Sequence, residues 1–123
     1  MSIRDNYLEI LKRKDAAAKR SGRNPEDVML MAVTKKHEPD ELREAIDAGA
    51  TDFGENKVQE LLSKYDEVHP ERWHLIGHLQ TNKVRQIIDK VTMIHSVDSL
   101  KLAREINKRV SAAGIVMDVL IEI

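Results

Sequence analysis

A lysine closing an apolar run is the first residue in this chain whose type and position suggest chemistry. Val28 to Lys35 reads as a buried strand ending in Ala32-Val33-Thr34-Lys35. An amine held against apolar neighbours gives up its proton readily, and the neutral form can add to an aldehyde to give a Schiff base. Lys35 lies in phase with Met29, Met31 and Val33, so an inward-facing strand places its amine at one end of the sheet while Lys36 points the other way. Taken alone, the same residue also reads as a surface lysine at a strand end.

Three further segments combine polar residues with strand-end positions. In Phe53-Gly54-Glu55-Asn56, Gly54 permits close backbone approach or an unusual torsion, and Asn56 can donate and accept beside a ligand or cap the helix that begins near Lys57. Glu55 reads as structural or supporting. Trp73-His74-Leu75-Ile76-Gly77-His78-Leu79-Gln80-Thr81-Asn82-Lys83 is chemically mixed and poorly explained by packing. His74 and His78 are four apart, a metal-binding spacing on a helix, but here they straddle a strand and its following glycine, so no metal is expected. His74 reads either as lining an interior site or as a core histidine with its nitrogens satisfied. Gln80, Asn82 and Lys83 suit a helix start better than a phosphate site. In His95-Ser96-Val97-Asp98-Ser99, Ser96 can donate to a ligand or to a water beside it, whereas Asp98 and Ser99 read as helix caps. Nothing fixes a Ser/His/Asp nucleophile. A Glu55 and Glu122 glycosidase pair lacks an aromatic platform in a chain with 3% aromatic residues.

The elements that must hold these residues alternate regularly. Ile3, Tyr7, Ile10 and Leu11 mark one face of an opening helix that Gly22 to Pro25 ends. Its basic residues read as a solvated face. After the first strand, Pro39 to Ala48 forms a helix with a Leu42, Ala45 and Ile46 stripe. Strands are then expected over Ala50 to Gly54, Trp73 to Gly77, Val91 to Val97 and Met117 to Ile123. The helices between them carry Val58, Leu61, Leu62 and Tyr65; then Val84, Ile87 and Ile88; then Leu102, Ala103, Ile106 and Val110. Strand starts recur about every 20 to 25 residues, the rhythm of βα units joined by right-handed crossovers. Periodicity fits either an open doubly wound sheet or part of a (β/α)8 barrel.

Composition bounds the function. The chain has 123 residues, 20 basic against 21 acidic, a formal charge of -1 and no cysteine. No global field favours nucleic acid or an anionic membrane, and disulfide and thiolate chemistry are excluded for these residues. No stretch approaches the roughly 18 apolar residues of a membrane span, and the start is charged and amphipathic, so a cytoplasmic protein is expected.

The order and spacing of Ala-Val-Thr-Lys, Phe-Gly-Glu-Asn, Trp-His-x-Ile-Gly-x-Leu-Gln-x-Asn-Lys and His-Ser-Val-Asp-Ser resemble one family across nearly the whole chain. They are similar to the pyridoxal 5'-phosphate (PLP) homeostasis proteins of the YggS/PROSC type, which share the alanine racemase N-terminal barrel. The resemblance implies an α/β fold, a partial (β/α)8 TIM barrel of about five parallel strands, with residues 1-123 forming one domain. It implies that Lys35 carries PLP as an aldimine and that Asn56 lies beside the ring; with PLP as the ligand, the strand-end readings of His74 and Ser96 make them further cofactor-binding candidates. It also implies a regulatory PLP-binding protein without established turnover, with effects on amino- and keto-acid metabolism.

The family's phosphate-binding serine and glycine-threonine segments, and the arginine facing the pyridine nitrogen, lie on later strands with no counterpart here. A complete barrel needs about 250 residues, and Ile121-Glu122-Ile123 ends within a strand, so the chain is expected to be an N-terminal fragment. Its exposed edges lead to two further expectations: pairing with a missing C-terminal half, or two copies completing each other's barrel. The alternatives are a fold-III PLP enzyme such as an amino-acid racemase, which needs a base on the far face of the ring, and a non-catalytic self-pairing half-barrel.

Overall fold

Hydrophobic stripes at helical spacing and short apolar runs between them force the helices onto one face of a sheet. The computed structural model describes residues 2–123 and shows that arrangement. Helix α1 (Ile3–Arg20) is capped by Ser2, whose Oγ accepts the Asp5 amide hydrogen, and its last turn carries Lys19 and Arg20, which suit the negative end of the helix dipole. There follow β1 (Met31–Val33), α2 (Pro39–Asp47), β2 (Asp52–Glu55), α3 (Val58–Tyr65), β3 (Arg72–Leu75), α4 (Val84–Ile87), β4 (Met93–Val97), α5 (Leu100–Ala113) and β5 (Asp118–Ile121). Single 3-10 turns occupy Pro25–Asp27 and Thr81–Lys83.

Local chemistry explains the helix ends. Pro39 sits in the first turn of α2, where Glu38 and Glu41 form a reciprocal capping box. Ser99 Oγ accepts the Leu102 amide hydrogen to start α5, and Gly114 ends it at φ 69, a left-handed conformation that costs glycine little. Thr81 caps nothing; the short turn it opens has Gln80 at its N-cap, without a side-chain cap bond.

All five strands are parallel and lie in sequence order, β1-β2-β3-β4-β5. This unreversed order is that of successive barrel strands, not of a doubly wound sheet whose order switches midway. The structure is therefore a partial barrel with two open edges. Phe53, Trp73, Leu75 and Ile94 alternate onto the helix side of the sheet, where they meet Leu42, Ala45, Leu61, Val84, Ile87, Leu102 and Ile106. Phe53 and Trp73 pack edge to face at 5.6 Å. The opposite face is less covered: Val33 is 49% exposed and Leu120 47%.

The strands are shorter than the apolar runs predict. β1 begins at Met31, not Val28, and stops at Val33, so Lys35 lies in the turn after the strand. Val91 is buried yet precedes the ladder of β4, because apolar loop residues pack into the core without pairing. Among the described residues no helix is long and apolar enough to cross a membrane.

Candidate cofactor site

Parallel pairing aligns Val33 with Gly54, Gly54 with His74, and His74 with Met93. Two residues beyond that row lie Lys35 and Asn56, at the carboxyl ends of neighbouring strands. The backbone bonding runs past the strands on both sides of β2: the Thr34 amide donates to the Gly54 carbonyl at 3.0 Å, and the Ile76 amide to the Glu55 carbonyl at 3.0 Å. Lys35 is exposed, so the described residues do not supply the apolar enclosure that the sequence predicts for its amine. Its ammonium makes no ion pair or hydrogen bond among them.

Asn56 is half-buried and caps no helix; α3 has Lys57 at its N-cap, without a side-chain bond. Gly77 explains how β3 comes so near: a Cβ there would strike the Asn56 backbone. Gly54 also serves close approach and not a special torsion, since a Cβ on it would lie 2.6 Å from the Met31 sulfur and 3.1 Å from Ile76.

His74 lies one row deeper than Lys35 and is only 2% exposed. Both of its nitrogens are engaged. Nε2 is 2.8 Å from Asp52 Oδ1 and Nδ1 is 3.0 Å from His95 Nε2. Arg72 adds a bidentate pair to the same carboxylate at 2.7 and 2.9 Å, and Thr51 Oγ1 donates at 2.7 Å. Burial alone would raise the Asp52 pKa, but the hydrogen bonds from Arg72, His74 and Thr51 outweigh it and hold the group at about 2. An ionised carboxylate only accepts, so His74 donates from Nε2, and in its neutral form it accepts at Nδ1. His95 then donates from Nε2 and keeps an unprotonated Nδ1. Burial, and then the positive charge that His74 carries whenever it is protonated, hold the His95 pKa below the ordinary histidine value. Of the two readings for His74, this geometry matches the satisfied core histidine. His78 lies on the surface, 3.7 Å from Asp98, away from this chain of groups.

Ser96 is buried in the opposite phase to His95, and its hydroxyl donates to the Gly77 carbonyl. The structure therefore brings Lys35 and Asn56 to one rim, sets His74 below it, and ties Ser96 to the backbone of the β3 exit. Gln80 and Lys83 line a separate surface cleft of about 250 Å³ with Lys57, Gln59 and His78.

A second polar cluster escaped the sequence reading. Lys64 on α3 is 7% exposed and spends all three donors: on the Thr34 carbonyl at 2.7 Å, Glu60 Oε2 at 2.9 Å and Glu55 Oε2 at 3.0 Å. Thr34 Oγ1 donates to Glu55 Oε2 at 2.6 Å. Glu60 is held at about 2, chiefly by Lys64 and then by the Lys36 amide. The i, i+4 spacing of Glu60 and Lys64 was visible in the sequence; their reach to residues 34 and 36 was not, because it depends on how α3 crosses β1 and β2.

With this geometry in hand, comparison with known proteins places the chain. Residues 9–123 match the family described as alanine racemase, N-terminal domain. The pyridoxal phosphate homeostasis protein of Aquifex aeolicus is 41% identical over 100% of this chain and 55% of its own length. Its Escherichia coli counterpart is 39% identical over 98% of this chain and 54% of its own. The chain thus spans about half the length of the curated relatives it matches. Among solved structures, PipY of Synechococcus elongatus with PLP bound superposes with TM-score 0.74 and 39% identity, covering 89% of this chain and 52% of that one. The crystal structure of an unknown protein from Bifidobacterium adolescentis superposes with TM-score 0.85, with 35% identity over 96% of this chain and 53% of that one. The match across residues 9–123, carried on five parallel strands in barrel order, shows that the chain belongs to the alanine racemase N-terminal domain family.

Proposed function

We propose that this chain contributes the lysine side of a PLP site and acts in PLP homeostasis as a binding protein, not as a catalyst. The observation that carries this reading is Lys35, an exposed amine without an ion pair among the described residues, at the carboxyl rim of the first strand, with Asn56, which has no capping duty, at the rim of the next. Active sites of (β/α)8 folds lie at that rim. The names of the relatives, and PLP in the PipY structure, support the choice of ligand.

The donor set present here fits half of such a group. Lys35 supplies the amine, and Asn56 can hydrogen-bond at the ring. When bound, PLP supplies an aldehyde, the electrophile to which a neutral lysine amine adds with loss of water. Lys64 is no rival amine, because all its donors are bound within the protein. His74 and Ser96 act at one remove in this proposal: His74 braces the floor below the rim, and Ser96 fixes the β3 exit at Gly77, against which the Asn56 backbone packs.

The test is titration of the chain with PLP, followed by its visible absorption and by borohydride fixation with peptide mapping. The expected result is a saturable band and a fixed adduct on the Lys35 peptide, both lost in Lys35→Ala. Adducts scattered over surface lysines, unchanged in Lys35→Ala, would overturn the proposal. The binding-only assignment is tested by exchange of the alanine α-proton in deuterated water: none is expected, and exchange abolished by Lys35→Ala would favour an amino-acid racemase instead.

A further inference from the structure

Lys35 is bracketed by two backbone groups that the same half-buried ion pair holds. On its amino side, the Thr34 carbonyl accepts from Lys64 Nζ at 2.7 Å and from the His37 amide at 3.2 Å, which uses both of its lone pairs. On its carboxyl side, the Lys36 amide donates to Glu60 Oε2 at 2.8 Å. Glu60 and Lys64 are themselves paired, one turn apart on α3. Glu55 at the end of β2 completes the cluster through Lys64 and the Thr34 hydroxyl.

The clamped turn is a strained one. Lys36 has φ 65, and among the described residues no other non-glycine takes a positive φ. A side chain in that left-handed region is disfavoured by about 1–2 kcal/mol, so residue 36 needs an outside restraint to stay there. Such strain persists only where surrounding contacts over-determine it.

We infer that Glu60 and Lys64 are positioning residues for Lys35: their ion pair clamps the peptide groups on either side of it and holds Lys36 left-handed, which aims the Lys35 amine along the rim toward Asn56. This inference rests on the PLP reading of Lys35. It assigns Lys64, Glu60 and Glu55 a role in orienting that amine without touching the ligand. With Glu60 removed, residue 36 relaxes to a negative φ and the turn re-aims.

The experiment compares the chain with Glu60→Ala, Glu60→Gln and the double variant Glu60→Ala/Lys36→Gly. Glu60 is chosen because it is the solvent-facing member of the pair, so its removal leaves Lys64 with Glu55 and the fold intact, as circular dichroism will register. The first readout is the rate of borohydride-fixed PLP addition at Lys35. Glu60→Ala is expected to slow it about tenfold, in line with the population shift that a left-handed side chain implies. Glu60→Gln keeps an acceptor for the Lys36 amide and is expected to recover most of the rate. The Lys36→Gly double variant is expected to do the same, because glycine adopts positive φ freely.

A merely structural role for Glu60 would lower thermal stability without rescue at residue 36. A folded Glu60→Ala with an unchanged rate, or a loss that neither rescue restores, overturns the clamp. The second readout is hydrogen exchange at the Lys36 amide, which needs no PLP. If the unmodified chain forms no Lys35 adduct, the PLP reading fails; about tenfold faster exchange in Glu60→Ala would then still support the clamp, and unchanged exchange would overturn it too.

Discussion

Asp52 offers the sharpest quantitative test of the structure. Its carboxylate is 1% exposed and receives Arg72 through two bonds, His74 through one and Thr51 through one. These bring it from the ordinary 3.8 to about 2. At about 1.4 kcal/mol per decade of proton affinity, the ionised network contributes ~2.5 kcal/mol to stability. Asp52→Asn keeps one acceptor for His74 but turns an amide toward Arg72 and Thr51, so a loss of about 2 kcal/mol near neutral pH is expected. The sign follows from the depressed folded pKa: the contribution is fully present above 3.8 and is lost as pH falls through that value toward about 2. Urea unfolding of both chains across this range measures it. Glu60 is also held at about 2, so the original chain alone mixes two titrations, whereas the difference between the chains isolates Asp52. A gap that narrows to near zero in acid agrees with the argument. A neutral-pH gap under about 0.5 kcal/mol, or one that stays constant with pH, would refute it.

Two further outcomes are expected. Gly77→Ala places a Cβ against the Asn56 backbone and should cost about 1–3 kcal/mol in urea unfolding while weakening PLP addition at Lys35; an isostable variant would mean that the β2 and β3 exits are free to separate. For His95, nitrogen chemical shifts of the imidazole near neutral pH should report a proton on Nε2 and none on Nδ1, as the acceptor-only Asp52 dictates. Because burial and His74 lower its pKa, the stability His95 contributes is full above the ordinary 6.5 and is lost as pH falls below it; an Nδ1-protonated ring would reverse the assigned direction of the chain.

The rhythm of strands and helices was legible because each helix stripe and each apolar run reports burial directly. Strand ends were not, because hydrophobicity marks what is buried and not what is laddered: Val91 is core without pairing, and Met29 is 55% exposed despite its place in the first apolar run. The motif segments lie at or just beyond strand ends, as their flanking apolar runs imply, yet the partners of their side chains depend on register. Nothing in the sequence connects Asp52 to Arg72, twenty positions on, until β2 and β3 pair. Ser96 looked like a free hydroxyl at a strand end; its phase, opposite to that of His95, turns it to the Gly77 carbonyl. Asn56 looked like a helix cap from spacing alone, but α3 starts two residues later and leaves its side chain unassigned.

The two polar clusters sit at different levels of one sheet for a physical reason. The Asp52 cluster draws on side chains of adjacent, fully paired strands, so the ladder itself fixes its geometry. Lys35 has no such support. It follows a three-residue strand that pairs on one side only, with β2. A turn leaving so short an edge strand has few restraints of its own, and edge elements open locally with little cost. The restraint therefore has to come from across the sheet, and α3 provides it by passing Lys64 and Glu60 beneath the turn. A buried ion pair is weak evidence for stability, since desolvation of both charges offsets most of their attraction. Its presence under Lys35, with every donor of Lys64 aimed at residues that bracket or support that turn, is better explained by the need to hold one amine in one place.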